Sequence, residues 1–113
     1  MILNSDDKVL VTHRKMFEND ISRFFTGSVD EYQDGLVKVS GYSWQHDLIH
    51  GCMVKNTDRR TKIISLSSGM FIFYQLPDYV DVESLQLNFE KHGYMLKGNN
   101  DFVMDLSERL LKG

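Results

Sequence analysis

The segment from Arg23 to Trp44 constrains the fold more than any other part of the sequence. It consists of two runs in which apolar and polar residues alternate, separated by Gln33, Asp34 and Gly35. Alternation with a period of two is typical of half-buried β-strands, and Asp-Gly between two such runs is a strong hairpin signal. We therefore predict an antiparallel hairpin that turns at Gly35.

The register of this hairpin depends on the length of its loop. A two-residue loop pairs Val29 with Ser40, which mixes apolar and polar side chains on each face. A three-residue loop with Gly35 in the left-handed conformation sorts the faces cleanly, and we prefer it. It pairs Val29 with Val39, Gly27 with Gly41, and Asp30 with Lys38. Facing glycines allow a sheet to bend sharply, as small barrels require.

A second hairpin is predicted around Ser67, Ser68 and Gly69. Residues 61–66 and 70–76 flank this turn, and the same type of loop pairs Ile64 with Ile72 and Ile63 with Phe73. Both faces of this hairpin are then apolar. One face can fill a barrel, and the other needs a cover, either an N-terminal helix or another subunit.

The remaining sequence completes a mainly β chain. Alanine, the best helix former, is absent. Further strands are predicted at residues 8–13, at 85–89, at 94–97 and at 102–106, with short helices within residues 14–21 and after Ser107. We predict a single small domain over residues 1–113, with the fold of an Sm-like or SH3-like bent β-barrel.

Several segments together resemble an uncharacterised bacterial family of small β-barrel proteins. They are residues 14–20 (RKMFEND), 23–29 (RFFTGSV), 37–42 (VKVSGY), 60–66 (RTKIISL) and 101–108 (DFVMDLSE). The resemblance spans about His13 to Glu108 and implies an Sm-like fold. The later strands lack the Ile-Arg-Gly and Tyr-Lys-His signatures of the better-known Sm proteins, so the resemblance implies no activity.

Charge and cysteine content limit the function classes. The net charge is −3, which argues against a strongly basic nucleic-acid binder but leaves room for a local patch. A single cysteine cannot form an internal disulfide, and no stretch is apolar enough to span a bilayer or act as a signal peptide. We expect a soluble, cytoplasmic protein with no membrane partner.

The densest cluster of chemically active side chains lies between His46 and Cys52. His46, His50 and Cys52, with Asp47, could ligate Zn²⁺, although the paired Cys-x-x-Cys spacing of structural zinc sites is missing. The alternative is a polar hairpin loop, which we prefer. His50 and Cys52 lack an orienting third group for thiol catalysis. We therefore predict no catalytic residue, no metal and no cofactor.

The most plausible binding feature is a basic stretch. It comprises Lys55, Arg59, Arg60 and Lys62, interrupted only by Asp58. Beside an exposed Tyr42 or Trp44, these cations could contact phosphates while the aromatic rings stack on bases. The alternative is a solvated loop.

These observations leave three functional hypotheses. We favour a non-enzymatic module that self-associates through strand edges and an apolar outer face and serves in binding or as a scaffold. The alternative is an RNA-binding Sm-like ring that uses the basic stretch. The third is a metal-binding protein centred on His46, His50 and Cys52.

Overall fold

A computed structural model describes residues 3–13, 23–47, 49–50, 52–90 and 93–106. Strands make up 62% of these residues, which confirms the mainly β fold class. The two predicted short helices fall outside the described ranges. Within those ranges, no helix has the length and apolar character needed to cross a membrane.

The larger sheet has six strands in the order β4-β3-β2-β1-β6, with β5 also paired to β3. All of the pairings are antiparallel. Its strands are β1 (Lys8–His13), β2 (Phe24–Gln33), β3 (Leu36–Asp47), β4 (Cys52–Lys55), β5 (Arg60–Ser65) and β6 (Phe71–Leu76).

The β2–β3 hairpin has the predicted register at its base, but its turn is shorter than predicted. Val29 pairs with Val39 and Gly27 with Gly41, as expected. The turn, however, is a two-residue Asp34-Gly35 turn with positive φ at both residues, typical of type I′.

An extra residue in β2 reconciles the short turn with that register. Asp30 forms a β-bulge between Val29 and Glu31, and Lys38 therefore pairs with Glu31. The predicted pairing of Lys38 with Asp30 is wrong. Because side chains in a strand alternate between the two faces of the sheet, this extra residue moves the β2 side chains after Asp30 to the opposite face from the one that unbroken alternation would give. The Asp30 carboxylate then accepts a hydrogen bond from the Ser40 hydroxyl across the strands.

The facing glycines bring the β2 and β3 backbones into close approach. A Cβ added to Gly41 would collide with the Thr26 carbonyl oxygen and lie 2.5 Å from the Gly27 Cα. A Cβ on Gly27 would collide with the Ser40 carbonyl oxygen in the same way. Only glycine at both positions permits this approach, as the sequence predicted.

The second predicted hairpin is wrong. β5 pairs with β3, placing Ile64 beside Val37, and β6 pairs with β1, placing Ile72 beside Thr12. Between them, Leu66–Ser68 forms a 3₁₀ turn that ends at Gly69 with a φ of 71°. No pairing joins β5 to β6 among the described strands, so no closed barrel is found, and the Sm-like or SH3-like barrel stays a prediction.

The last third of the chain forms a separate three-stranded sheet. It contains β7 (Gln86–Glu90), β8 (Gly93–Lys97) and β9 (Val103–Asp105), preceded by a 3₁₀ turn at Val82–Ser84. The sequence placed strands in these segments correctly. It did not predict that they form a sheet of their own.

Each face of the larger sheet contributes to a hydrophobic core. Leu10 of β1 belongs to a cluster that includes Leu87 and Leu96 of the second sheet. Its neighbours Val9 and Val11 point the other way, into a second buried cluster. The second sheet therefore supplies part of the cover that the sequence assigned to a helix or another subunit.

We predict that Gly41→Ala lowers the free energy of unfolding by about 3 kcal/mol, because the new methyl group meets backbone atoms that cannot rotate away. Chemical denaturation measures the loss. The control is Gly98→Ala, whose methyl group would meet side-chain atoms of Leu85 and Phe102 at 3.1 Å or more and should cost less than about 1 kcal/mol. Equal losses in the two variants would contradict the proposed close approach.

Candidate functional site

The predicted basic stretch divides into two groups, and the first lies beside a carboxylate. The Lys55 Nζ lies 4.5 Å from the centroid of the Tyr42 ring, and the Arg59 Cζ lies 5.8 Å from it. Glu83 closes the group: it accepts a hydrogen bond from the Tyr42 hydroxyl at 2.8 Å, and its carboxylate lies 3.7 Å from Arg59 and 4.0 Å from Lys55. We call these four residues the Tyr42 cluster.

The loop before β7 holds Glu83 in place. The Asp81 side chain accepts a hydrogen bond from the Glu83 backbone N–H at 3.0 Å and so caps the 3₁₀ turn. Asn99 anchors this loop by accepting from the Asp81 N–H at 2.7 Å and donating to the Tyr79 carbonyl at 2.8 Å. The cations of the Tyr42 cluster therefore face a carboxylate held in position by the fold.

Trp44 is a core residue, which corrects the expectation that it is exposed. Its side chain is only 6% exposed, and its indole Nε1 donates a hydrogen bond to the buried Thr26 hydroxyl at 3.0 Å. The period-two pattern of β3 places Trp44 on the face covered by the second sheet. The ring has no free face on which a base could stack.

The second group of cations lies at an open cleft of about 850 Å³. We call it the basic cleft. The side chains that line it include the ionisable residues His13, Arg23, His46 and Lys62 and the apolar residues Phe25 and Phe71. No aspartate or glutamate lines it among the described residues. Arg60 lies two residues before Lys62 on the same face of β5.

The burial of Lys62 and the positive charges near it change its pKa. Its ammonium lies above the Phe25 ring, 4.8 Å from the centroid. Loss of hydration there, followed by repulsion from Arg60 and Arg23, lowers the pKa of Lys62 below its ordinary value. An anion placed among these cations would relieve the repulsion and raise the pKa of Lys62 again.

Sequence reasoning missed Arg23 and His13 as members of this site. They come together because the backbone N–H of His13 donates to the Arg23 carbonyl at 3.2 Å, where β1 ends and β2 is about to begin. The His13 ring packs edge-on against Phe71, with 5.0 Å between centroids. The only available signal was the position of Arg23 directly before an alternating run, and it says nothing about distance from β5.

The structure does not assemble the metal centre considered from the sequence. No group of three His, Cys, Asp or Glu side chains within the described ranges could hold a metal ion. His50 instead contacts the Asp47 carboxylate at 2.7 Å, and this hydrogen bond is the main cause that lowers the pKa of Asp47. His46 packs against Tyr94, and its Nδ1 is buried without a hydrogen-bond partner in the described part of the chain. Cys52 is exposed.

Comparison with protein-family models, curated proteins and solved structures finds no match to this chain.

We predict that Arg60→Gln raises the pKa of Lys62, because it removes one of the two neighbouring charges that oppose protonation. The matched control, Arg59→Gln, removes a charge from the Tyr42 cluster and should leave Lys62 unchanged. Titration of the Lys62 side chain by NMR measures both effects. A Lys62 pKa that does not respond to Arg60→Gln would contradict the described arrangement.

Proposed function

We propose that this protein is a non-enzymatic binding module whose basic cleft takes an anionic ligand. One observation carries the proposal: Arg23, Arg60 and Lys62 lie together, and no ion pair with a carboxylate neutralises them among the described residues. A cluster of uncompensated cations beside a cleft lowers the energy of a bound anion. In the same segment, Lys55 and Arg59 share the Glu83 carboxylate, whereas Arg60 and Lys62 have no such partner among the described residues.

The architecture proposed for this module is the Sm-like small barrel, open between β5 and β6. The close approach of the backbones at Gly27 and Gly41 and the path β3-β2-β1-β6 support it. Self-association is part of the proposal, because β9 has one edge without a strand partner in the described ranges. Val103 of β9 is 55% exposed and does not line the basic cleft, so it adds apolar area beside this edge.

The RNA-binding ring receives less support. That hypothesis requires cations beside aromatic rings that are free to stack on bases. Trp44 is buried, and both cations near Tyr42 already lie over its ring. The cations of the basic cleft are available, but three of the aromatic side chains that line it, Phe24, Phe25 and Trp44, are each less than 10% exposed.

We predict that Arg60→Gln combined with Lys62→Gln weakens the binding of inorganic polyphosphate by at least about tenfold at low salt, because it removes two cations at the cleft. The control, Lys55→Gln with Arg59→Gln, removes the same net charge from the Tyr42 cluster and should change the affinity by less than about twofold. Isothermal calorimetry measures both. Equal losses would show that net charge alone drives binding, and absence of binding to the parent protein would refute the proposed function.

We predict that the protein self-associates in a concentration-dependent manner and that Val103→Glu shifts it towards the monomer, since a carboxylate cannot be buried in an apolar contact without cost. Multi-angle light scattering measures the mass. Val54→Glu, at a position that is also half-exposed but lies on β4, is the control and should leave assembly intact. A single species of 13.2 kDa at every concentration would overturn self-association.

A further inference from the structure

We infer that the basic cleft receives an extended acidic peptide, added as a further strand along the free edge of β5. This inference rests on the proposed function and specifies the ligand. It requires three properties of the cleft: a strand edge with no pairing partner, side chains that select for acidic residues, and a surface that binds a peptide better than a nucleic acid.

The strand edge is available. β5 forms a ladder with β3 only, and β6 with β1 only, so the facing edges of these consecutive strands have no pairing partner in the described part of the chain. Unpaired backbone N–H and C=O groups along such an edge are a template for another strand. Peptide recognition by strand addition uses these groups for affinity and the neighbouring side chains for specificity.

The basic cleft borders this edge. Three consecutive residues of β5, Lys62, Ile63 and Ile64, line it. Consecutive residues of a strand point to opposite faces, so a cavity that touches all three lies beside the strand and not above one of its faces. Phe71, the first residue of β6, lines the same cavity. The space between the two strand edges is therefore continuous with the cations.

The side chains of β5 specify the pattern of the incoming strand. Arg60 and Lys62 share one face, and Arg23 lies close enough to influence Lys62 electrostatically. Ile63 points to the other face and is 67% exposed. Cross-strand neighbours lie on the same face, so the best partner carries carboxylates at alternate positions and apolar side chains between them. The cations at the same time repel basic strands, which gives selectivity.

The aromatic rings at the cleft favour a peptide over a nucleic acid. Phe24, Phe25 and Trp44 line the cavity, yet each is less than 10% exposed. The face of Phe25 is covered by the Lys62 ammonium. Single-stranded nucleic acids gain much of their affinity from stacking on exposed rings, and these rings are not available for that purpose.

The test uses the whole protein and a fluorescent peptide of about ten residues that alternates Glu and Val. Fluorescence anisotropy measures affinity, and amide hydrogen exchange measures protection of β5. We expect binding, with exchange at residues 60–65 slowed at least about tenfold when the peptide is present. A matched peptide, methylated at alternate backbone nitrogens, keeps its charge but loses N–H donors and should bind at least about tenfold more weakly.

Two double variants test whether the cations of the basic cleft bind the peptide. Arg60→Gln with Lys62→Gln should weaken peptide binding at least about tenfold, and Lys55→Gln with Arg59→Gln should leave it within about twofold. Equal affinity for the methylated peptide, or no protection of β5, would overturn strand addition. If polyphosphate still bound at the cleft, the proposed function would survive that result.

Two other outcomes would also overturn this inference. A single-stranded RNA of equal charge that binds more tightly than the peptide, without protection of β5, would make nucleic acid the ligand. Protection of β5 that rises with protein concentration when no peptide is present would make a second copy of the chain the occupant. Failure of both polyphosphate and the peptide to bind would remove the inference together with the proposed function.

Discussion

The close approach of the backbones at Gly27 and Gly41 is the constraint on which the rest of the structure depends. It brings β2 and β3 closer together than any side chain could accommodate, because Cβ atoms added to these glycines would collide with carbonyl oxygens. The opposite edge of β3 pairs with β5 as far as Gly41, and then with β4 from Trp44 onwards. One long strand therefore pairs with two neighbours along one edge, and Val9, Val29 and Val39 lie in one buried cluster.

The strand pairing also separates the cations into two groups. Lys55 and Arg59 lie where the loop before β7 presents Glu83, and this carboxylate offsets one of their two charges. Arg60 and Lys62 follow on β5, near the cleft that also includes Arg23. Four cations that are close in sequence thus enter two electrostatic environments. The proposed binding function depends on this separation more than on the total charge, which is −3.

Local patterns predicted the strands and one turn well, and they failed where distant segments compete for pairing. The glycine pair and the pairing of Val29 with Val39 follow from face sorting, which depends only on alternation. The bulge at Asp30 was not predictable, because a short turn with a bulge and a longer loop produce the same pairing near Val29. The expected pairing of Ile64 with Ile72 was wrong, because β5 pairs with β3 and β6 pairs with β1, over six residue pairs each.

The sequence by itself determined a mainly β chain, a hairpin with Gly35 in the left-handed conformation, and the pairing of Gly27 with Gly41. These properties depend on backbone freedom and on alternation between neighbouring residues, which are local. Only the tertiary structure decided that Trp44 is buried, that His46, His50 and Cys52 form no metal site within the described ranges, and that Arg23 lies near Lys62. Those outcomes depend on which strands pair and how the sheet curls, and such long-range contacts leave no period in the sequence.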